Sequence, residues 1–208
     1  PNNDKAYGVG QQTLKSLMKE RMRKLDFSIS DKRAQGNGAL MRSSPIGLRY
    51  AGNYNDLKFN SMKACYVTHN SFISALSCVV YNLFISEIVQ GVRKEDLIAN
   101  VVKQYDGSIS DPDYILETDY LSIKESDLNI SGHTLDTLYI SLWSFFNTDS
   151  YISSIRTVVS LGGDVDTFAA VTGSLSGAYY GYNAIPREFT TSLINAKYIE
   201  GLAEQLTT

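Results

Sequence analysis

Apolar residues recur at helical spacing along nearly the whole chain, and no stretch sustains the period-two alternation of a half-buried strand; the pattern predicts an all-α protein. Residues 9–25 show it first. Leu14, Leu17, Met18, Met22 and Leu25 fall near helical intervals, with Lys15, Lys19, Glu20, Arg21 and Arg23 between them, an amphipathic helix. Residues 30–44 are polar and glycine-punctuated, so Gly36-Asn37-Gly38 sits in a loop before a helix beginning near Ala39 or Met41. Helices follow at 56–68 and 72–89, parted at His69-Asn70-Ser71, where Ser71 suits the N-cap of the second. A shorter helix is expected over 94–105. The pattern resumes through 135–146, 150–160, 167–182 and 191–206, with Pro186 separating the last two.

Two segments depart from this rhythm. Residues 104–130 carry seven acidic side chains against Lys124, a local −6 that leaves the remainder at +3. That stretch reads as an acidic surface excursion with one short helix inside a single domain spanning 1–208. Residues 168–181 nearly lack large side chains: Gly173, Gly177 and Gly181 recur every fourth position among Ala169, Ala170, Ser174, Ser176 and Ala178. Glycine costs about 1 kcal/mol relative to alanine inside a helix, so three on one face imply a compensating close approach by a neighbouring helix backbone. A buried central helix is expected there.

Chemistry concentrates where that helix begins. Leu161-Gly162-Gly163-Asp164-Val165-Asp166-Thr167 puts two carboxylates and a hydroxyl within four residues, after a glycine pair that permits positive φ. Carboxylate and hydroxyl oxygens suit a hard cation such as Mg²⁺ or Ca²⁺. Capping of the helix accounts for one of the aspartates and leaves the second unexplained. Three further segments also place polar or glycine residues ahead of a helix: 36–42, 67–70 and 131–134. Converging helix starts would form a crevice for an anion or a ribose. Singly, each has an ordinary reading: a glycine turn, a capping or core histidine, a helix start.

Composition narrows the function classes. A chain of 208 residues, 43% hydrophobic and 20% charged, can bury one sizeable core. Net charge is −3 and the densest basic run, 19–24, fits a solvated helix face, which disfavours nucleic acid as a partner. No apolar run reaches the ~18 residues of a membrane span, Asn82 interrupting the longest, so no membrane partner is expected. Cys65 and Cys78 have apolar neighbours and read as buried reduced thiols, pointing to a cytoplasmic location. Neither His69 nor His133 stands at zinc-ligand spacing from them.

Taken in order, Gly36-Asn37-Gly38-Ala39-Leu40-Met41-Arg42, Thr68-His69, Ser131-Gly132-His133-Thr134-Leu135 with Leu142-Trp143 and Asp149-Ser150, and Gly162-Gly163-Asp164-Val165-Asp166-Thr167 with Gly177-Ala178-Tyr179-Tyr180-Gly181 resemble the ADP-ribosylglycohydrolase family. The resemblance implies a compact orthogonal all-α fold. It also implies Mg²⁺-dependent cleavage of the glycosidic bond joining ADP-ribose to a protein side chain, a nucleic-acid base or another ADP-ribose, with a pair of ions in a complete site. Asp164, Asp166 and Thr167 would be metal ligands, the two aspartates also stabilising charge at the reacting carbon. Gly36, Asn37, Gly38, Ala39, Leu40, Met41 and Arg42 would follow the diphosphate and ribose, with His69 beside the ligand. Ser131, Gly132, His133 and Thr134 would border the adenosine end, His133 standing where the family often has an aromatic or aliphatic residue.

The family's Gly-Asp-Ala-Leu-Gly-like segment and Thr/Ser-Asp-Asp motif do not occur in this sequence, and the first residue is Pro1. The enzyme reading therefore expects the remaining carboxylates from an N-terminal segment, cleaved or supplied by another chain, and no turnover by these residues alone. The rival reading is a non-catalytic ADP-ribose-binding or crystallin-like structural protein. ADP-ribose or an ADP-ribosylated protein is the expected partner, nucleic acid entering only as a modified substrate.

Overall fold

A computed structural model describes residues 10–21, 34–105 and 113–206; Pro1, Asp4, Met22, Leu25, Asp26 and Asp31 lie outside it. Helices run α1 (Gln11–Arg21), α2 (Ser44–Arg49), α3 (Tyr54–Tyr66), α4 (Phe72–Val89), α5 (Leu97–Gln104), α6 (Asp113–Glu117), α7 (Thr134–Phe146), α8 (Tyr151–Ser160), α9 (Val165–Tyr180), α10 (Arg187–Thr191) and α11 (Ala196–Leu206). Among the described residues there is no strand, only one isolated antiparallel bridge between Gly36 and His133. The all-α expectation holds.

α4 is apolar on every side, and α2, α3, α5, α7 and α9 pack around it. Its starting residue is set by Ser71, whose hydroxyl accepts from Ser74 N; Asn53 does the same for α3 through Asp56 N, and Ser150 forms a capping box with Ser153 for α8. α4 spans 72–89 as the apolar spacing predicts, and it overturns the expectation that Asn82 keeps the apolar run short of a membrane span. Asn82 is fully buried; its amide donates to Ser61 Oγ at 2.9 Å, a polar tie across α3 and α4, while its Oδ1 has no hydrogen-bond partner. The uninterrupted helix, with mean hydropathy 1.8 over 18 residues, is long and apolar enough to cross a membrane, but 83% of it is buried by its neighbours. Close approach of backbones occurs at Gly47 of α2, where an added Cβ would lie 2.8 Å from Ile85 Cβ and 2.9 Å from Asn82 O.

Several boundaries differ from the periodicity. Lys94–Asp96 is a 3₁₀ turn preceding α5, and its Lys94 folds back to the C-terminal end of α7, donating at 2.8 Å to Phe145 O, Thr148 O and the Tyr180 hydroxyl while lying 4.3 Å above the Phe145 ring. The helical pattern at 191–206 breaks before α11 at Asn195, which adopts φ 64°. The acidic excursion is pinned to the core. Ile115, Leu116, Tyr120 and Leu128 are buried, and Tyr120 stacks on Phe146 at 5.3 Å.

The small-residue face of α9 meets side chains of α8 rather than a backbone: an added Cβ on Gly173 would lie 3.3 Å from Ile155 Cδ1, and one on Gly177 3.9 Å from Tyr151 Cε2. Gly181 has already left the helix, closing it at φ 83°. One face of α9, with Phe168, Val171 and Leu175, is fully buried. α1 departs from its amphipathic reading, because Leu14, Leu17 and Met18 are exposed while Ser16 is buried.

Replacing Gly47 with alanine sets two effects against each other. Helix propensity favours alanine by about 1 kcal/mol, whereas overpacking against a Cβ and a backbone oxygen costs about 1–3 kcal/mol. Both neighbours are fixed atoms, so the variant should be less stable; a thermal midpoint equal to or above the parent's would show that α2 can slide away from α4.

Candidate functional site

The site begins at the turn into α9. Gly162 and Gly163 adopt φ 74° and 73°, and an added Cβ on Gly163 would come within 2.6 Å of Ile130 Cγ2, so glycine is required there for both conformation and space. This turn sets Asp164 at the N-cap, yet its side chain caps nothing. Asp164 Oδ1 accepts from Thr167 Oγ1 at 3.1 Å, and Oδ2 accepts from Asn37 Nδ2 at 2.7 Å. Asp166 Oδ1 accepts from Thr167 N at 3.0 Å. Two carboxylates and a hydroxyl thus gather on one helical turn, with Asp166 exposed, Asp164 half-buried and Thr167 buried.

The Gly36-Asn37-Gly38 loop reaches Asp164 because it pairs with the approach to α7. Asn37 N donates to Gly132 O at 3.1 Å and Thr134 N to Gln35 O at 2.9 Å. Asn37 is buried, and its amide donates to Thr137 Oγ1 at 2.9 Å as well as to Asp164. Gly132 stands close by, with an added Cβ 3.6 Å from Asp164 Oδ2. Three of the four helix-start segments therefore meet at one carboxylate. Thr137 belongs to this cluster although sequence reasoning did not single it out; the signal was a hydroxyl one turn into α7, three residues after Thr134.

Ala39, Leu40, Met41, Arg42 and His69 lie in different settings around this cluster. Ala39 and Leu40 turn into the core, 2% and 0% exposed, because the 3₁₀ turn Leu40–Arg42 presents its apolar side inward. Met41 is exposed, with its sulfur 3.7 Å from Thr167 Oγ1. Arg42 points to the end of α3, donating through Nη2 to Thr68 Oγ1 at 2.6 Å and to Ala64 O at 3.1 Å. His69 is not laid open beside a crevice: it is 3% exposed, and its ring lies against the glycine loop, with an added Cβ on Gly38 only 3.0 Å from Cε1 and one on Gly36 3.6 Å from Nε2. Burial, and secondarily the Arg42 charge, push its pKa down to about 4.

His133 is half-exposed and caps α7, its Nδ1 accepting from Leu135 N at 3.3 Å while Nε2 lies 3.1 Å from Gln35 Oε1. Ser131 Oγ accepts from His133 N and donates to Asp136. Thr134 is buried, and its hydroxyl has no hydrogen-bond partner.

Asp164, Asp166 and Thr167 offer oxygen atoms at the start of α9, and among the described residues no group of three His, Cys, Asp or Glu side chains assembles. Cys65 and Cys78 are free and buried. A cavity of about 800 Å³ between α8, α10 and α11 is lined chiefly by Tyr151, Tyr182, Phe189, Leu193 and Ile199, with none of the Asp164 cluster among its walls.

An all-helical domain that brings a glycine-asparagine-glycine loop and two helix starts onto one aspartate defines a class of oxygen-donor, helix-terminus sites. The chain belongs to the ADP-ribosylglycohydrolase family, whose pattern spans residues 1–208. It is 26% identical over 206 residues to the ADP-ribosylarginine hydrolase Tri1 of Serratia proteamaculans, covering 99% of this chain and 56% of that protein. It is 30% identical over 164 residues to the ADP-ribosyl-[dinitrogen reductase] glycohydrolase of Rhodospirillum rubrum, covering 76% of this chain and 50% of that one. A solved structure titled ADP-ribosylglycohydrolase-related protein complex superposes with a TM-score of 0.82 at 30% identity, over 95% of this chain and 68% of that chain. The chain spans about half the length of the curated relatives it matches.

His69 gives the site a pH signature. The unfolded histidine takes up its proton near pH 6.5, the folded one only near pH 4, so acidification through that window favours unfolding by up to roughly 1.4 kcal/mol per pH unit. Denaturant titrations across the window should show this slope in the parent and a shallower one in His69→Gln. Equal slopes would mean that the ring protonates freely in the folded protein.

Proposed function

We propose that the protein hydrolyses the glycosidic bond between ADP-ribose and a modified protein, with Mg²⁺ held on one side by Asp164, Asp166 and Thr167. The observation that carries this reading is the convergence on Asp164 of the glycine loop, the 131–134 segment and the start of α9. The donor set suits the ion in kind, being oxygen throughout, and would fill part of the octahedron that Mg²⁺ requires. Mg²⁺ bound there would supply Lewis-acid polarisation and an oriented water. Asn37 fixes the Asp164 carboxylate, Thr167 ties Asp164 to Asp166, and the paired carboxylates stabilise positive charge as the sugar takes on oxocarbenium character. The names of the Serratia and Rhodospirillum relatives support protein-linked ADP-ribose as the substrate class. Two buried thiols suit a reducing, cytoplasmic compartment.

Binding and turnover separate in this reading. Calorimetric titration with ADP-ribose should give measurable affinity for the parent and a loss for Asn37→Ala, which frees the Asp164 carboxylate. Identical affinities would remove Asn37 from the pocket. Thermal shift with Mg²⁺ should show stabilisation of the parent and little in Asp166→Asn, and an equal response in both would reject the ligand assignment. Incubation of residues 1–208 with an ADP-ribosylated protein and Mg²⁺ should release little ADP-ribose, because no third acidic group joins Asp164 and Asp166 among the described residues. Turnover matching a complete family member would overturn the need for further carboxylates.

A further inference from the structure

The Thr68 hydroxyl stands between two groups with opposite demands. Arg42 Nη2, which can only donate, lies 2.6 Å from Thr68 Oγ1, and His69 Nδ1 lies 2.9 Å away on the same oxygen. An oxygen that accepts from the guanidinium still has one proton to place, and the Nδ1 lone pair is the acceptor within reach. The Thr68 backbone that carries this hydroxyl is held on both sides: Ser16 Oγ and Gln12 Nε2 of α1 donate to its carbonyl at 2.8 and 3.3 Å, and its own N–H donates to Cys65 O at 3.1 Å. Arg42 is fixed in turn by its second bond, to Ala64 O at 3.1 Å.

We infer that Arg42 and Thr68 are positioning residues that lock His69 in the neutral Nε2–H form, making its ring the rigid floor on which the Gly36-Asn37-Gly38 loop rests. The two glycines are the counterpart of that floor, since a Cβ at Gly38 would stand 3.0 Å from Cε1 and 3.2 Å from Nε2. Asn37, between them, is what the floor serves: its Nδ2 reaches Thr137 Oγ1 at 2.9 Å and Asp164 Oδ2 at 2.7 Å, both on other helices. Arg42 thus acts through Thr68, His69 and Asn37 on Asp164 and touches none of the donors at the start of α9. The hydrogen-bond order stands on the ligand-free geometry; its consequence for ADP-ribose rests on the proposed function.

The test is the tautomer itself, read from long-range ¹⁵N–¹H correlations of the imidazoles in the folded protein. The chain has two histidines, so His69→Gln assigns the signal. The parent and Thr68→Ser, which keeps the hydroxyl, should show Nδ1 unprotonated and Nε2 protonated at His69. Thr68→Val and Arg42→Met should each give a tautomer mixture, and ADP-ribose affinity should fall several-fold in Thr68→Val and recover in Thr68→Ser. A parental Nδ1–H tautomer, or parental shifts retained in Thr68→Val and Arg42→Met, would overturn the inference. If Thr68→Val does not fold, Arg42→Met alone decides, since it leaves the threonine in place and removes only the donor that orders it. Tautomers that shift as expected in a protein that does not bind ADP-ribose would refute the ligand reading and leave the positioning role standing.

Discussion

Asp164 is the N-cap of α9, yet its carboxylate accepts nothing from the amides of that helix. Both oxygens are claimed from the side, by Thr167 and by an asparagine amide from the opposite end of the described chain. This contact orders the rest of the site. It draws the glycine loop onto the start of α7, which brings Gly132 beside the same carboxylate, and it leaves Asp166, through Thr167 N, as the aspartate that meets an amide in the first turn of α9.

The scaffold that makes such a contact rigid is the burial of α4. Five helices cover it, one of them at backbone distance through Gly47. Two polar ties run from it to neighbouring helices: the Asn82 amide donates to Ser61 Oγ, and the Tyr81 hydroxyl donates to Val171 O on α9. The last of these ties the central helix directly to the one that carries Asp164. Lys94 performs a comparable service at the far end of α7, neutralising the carbonyls of Phe145 and Thr148 beneath three aromatic rings.

Much of this was legible in the residues. Helix positions followed from apolar spacing, Ser71 from capping preference, and Asp164, Asp166 and Thr167 from the density of oxygen donors beside a glycine pair. What sequence could not supply was direction. Ala39 and Leu40 sit in the same seven-residue motif as Asn37, but a single 3₁₀ turn sends them into the core. His69 reads from its own surroundings as a capping or core histidine and from the family resemblance as a ligand neighbour, and only the close approach of Gly36 and Gly38 places it beneath the loop. α1 misled in the other direction, since its leucines face outward and its serine inward: two hydrogen bonds to the Thr68 carbonyl override the hydrophobic stripe. The acidic excursion hid four core residues because net charge describes what lies between apolar anchors and not the anchors themselves.

The amide of Asn37 and the carboxylate of Asp164 are 127 positions apart in sequence. Closing so long a loop is slow compared with forming the local contacts of α2, α3 and α4, which lie next to one another in the chain. A core around α4 can therefore begin to consolidate on neighbouring contacts alone, while the crevice has no existence until α9 arrives. On the ribosome, the chain would acquire its stability and its chemistry at different times, and a nascent form that had already collapsed would still present no ordered carboxylate to a nucleotide.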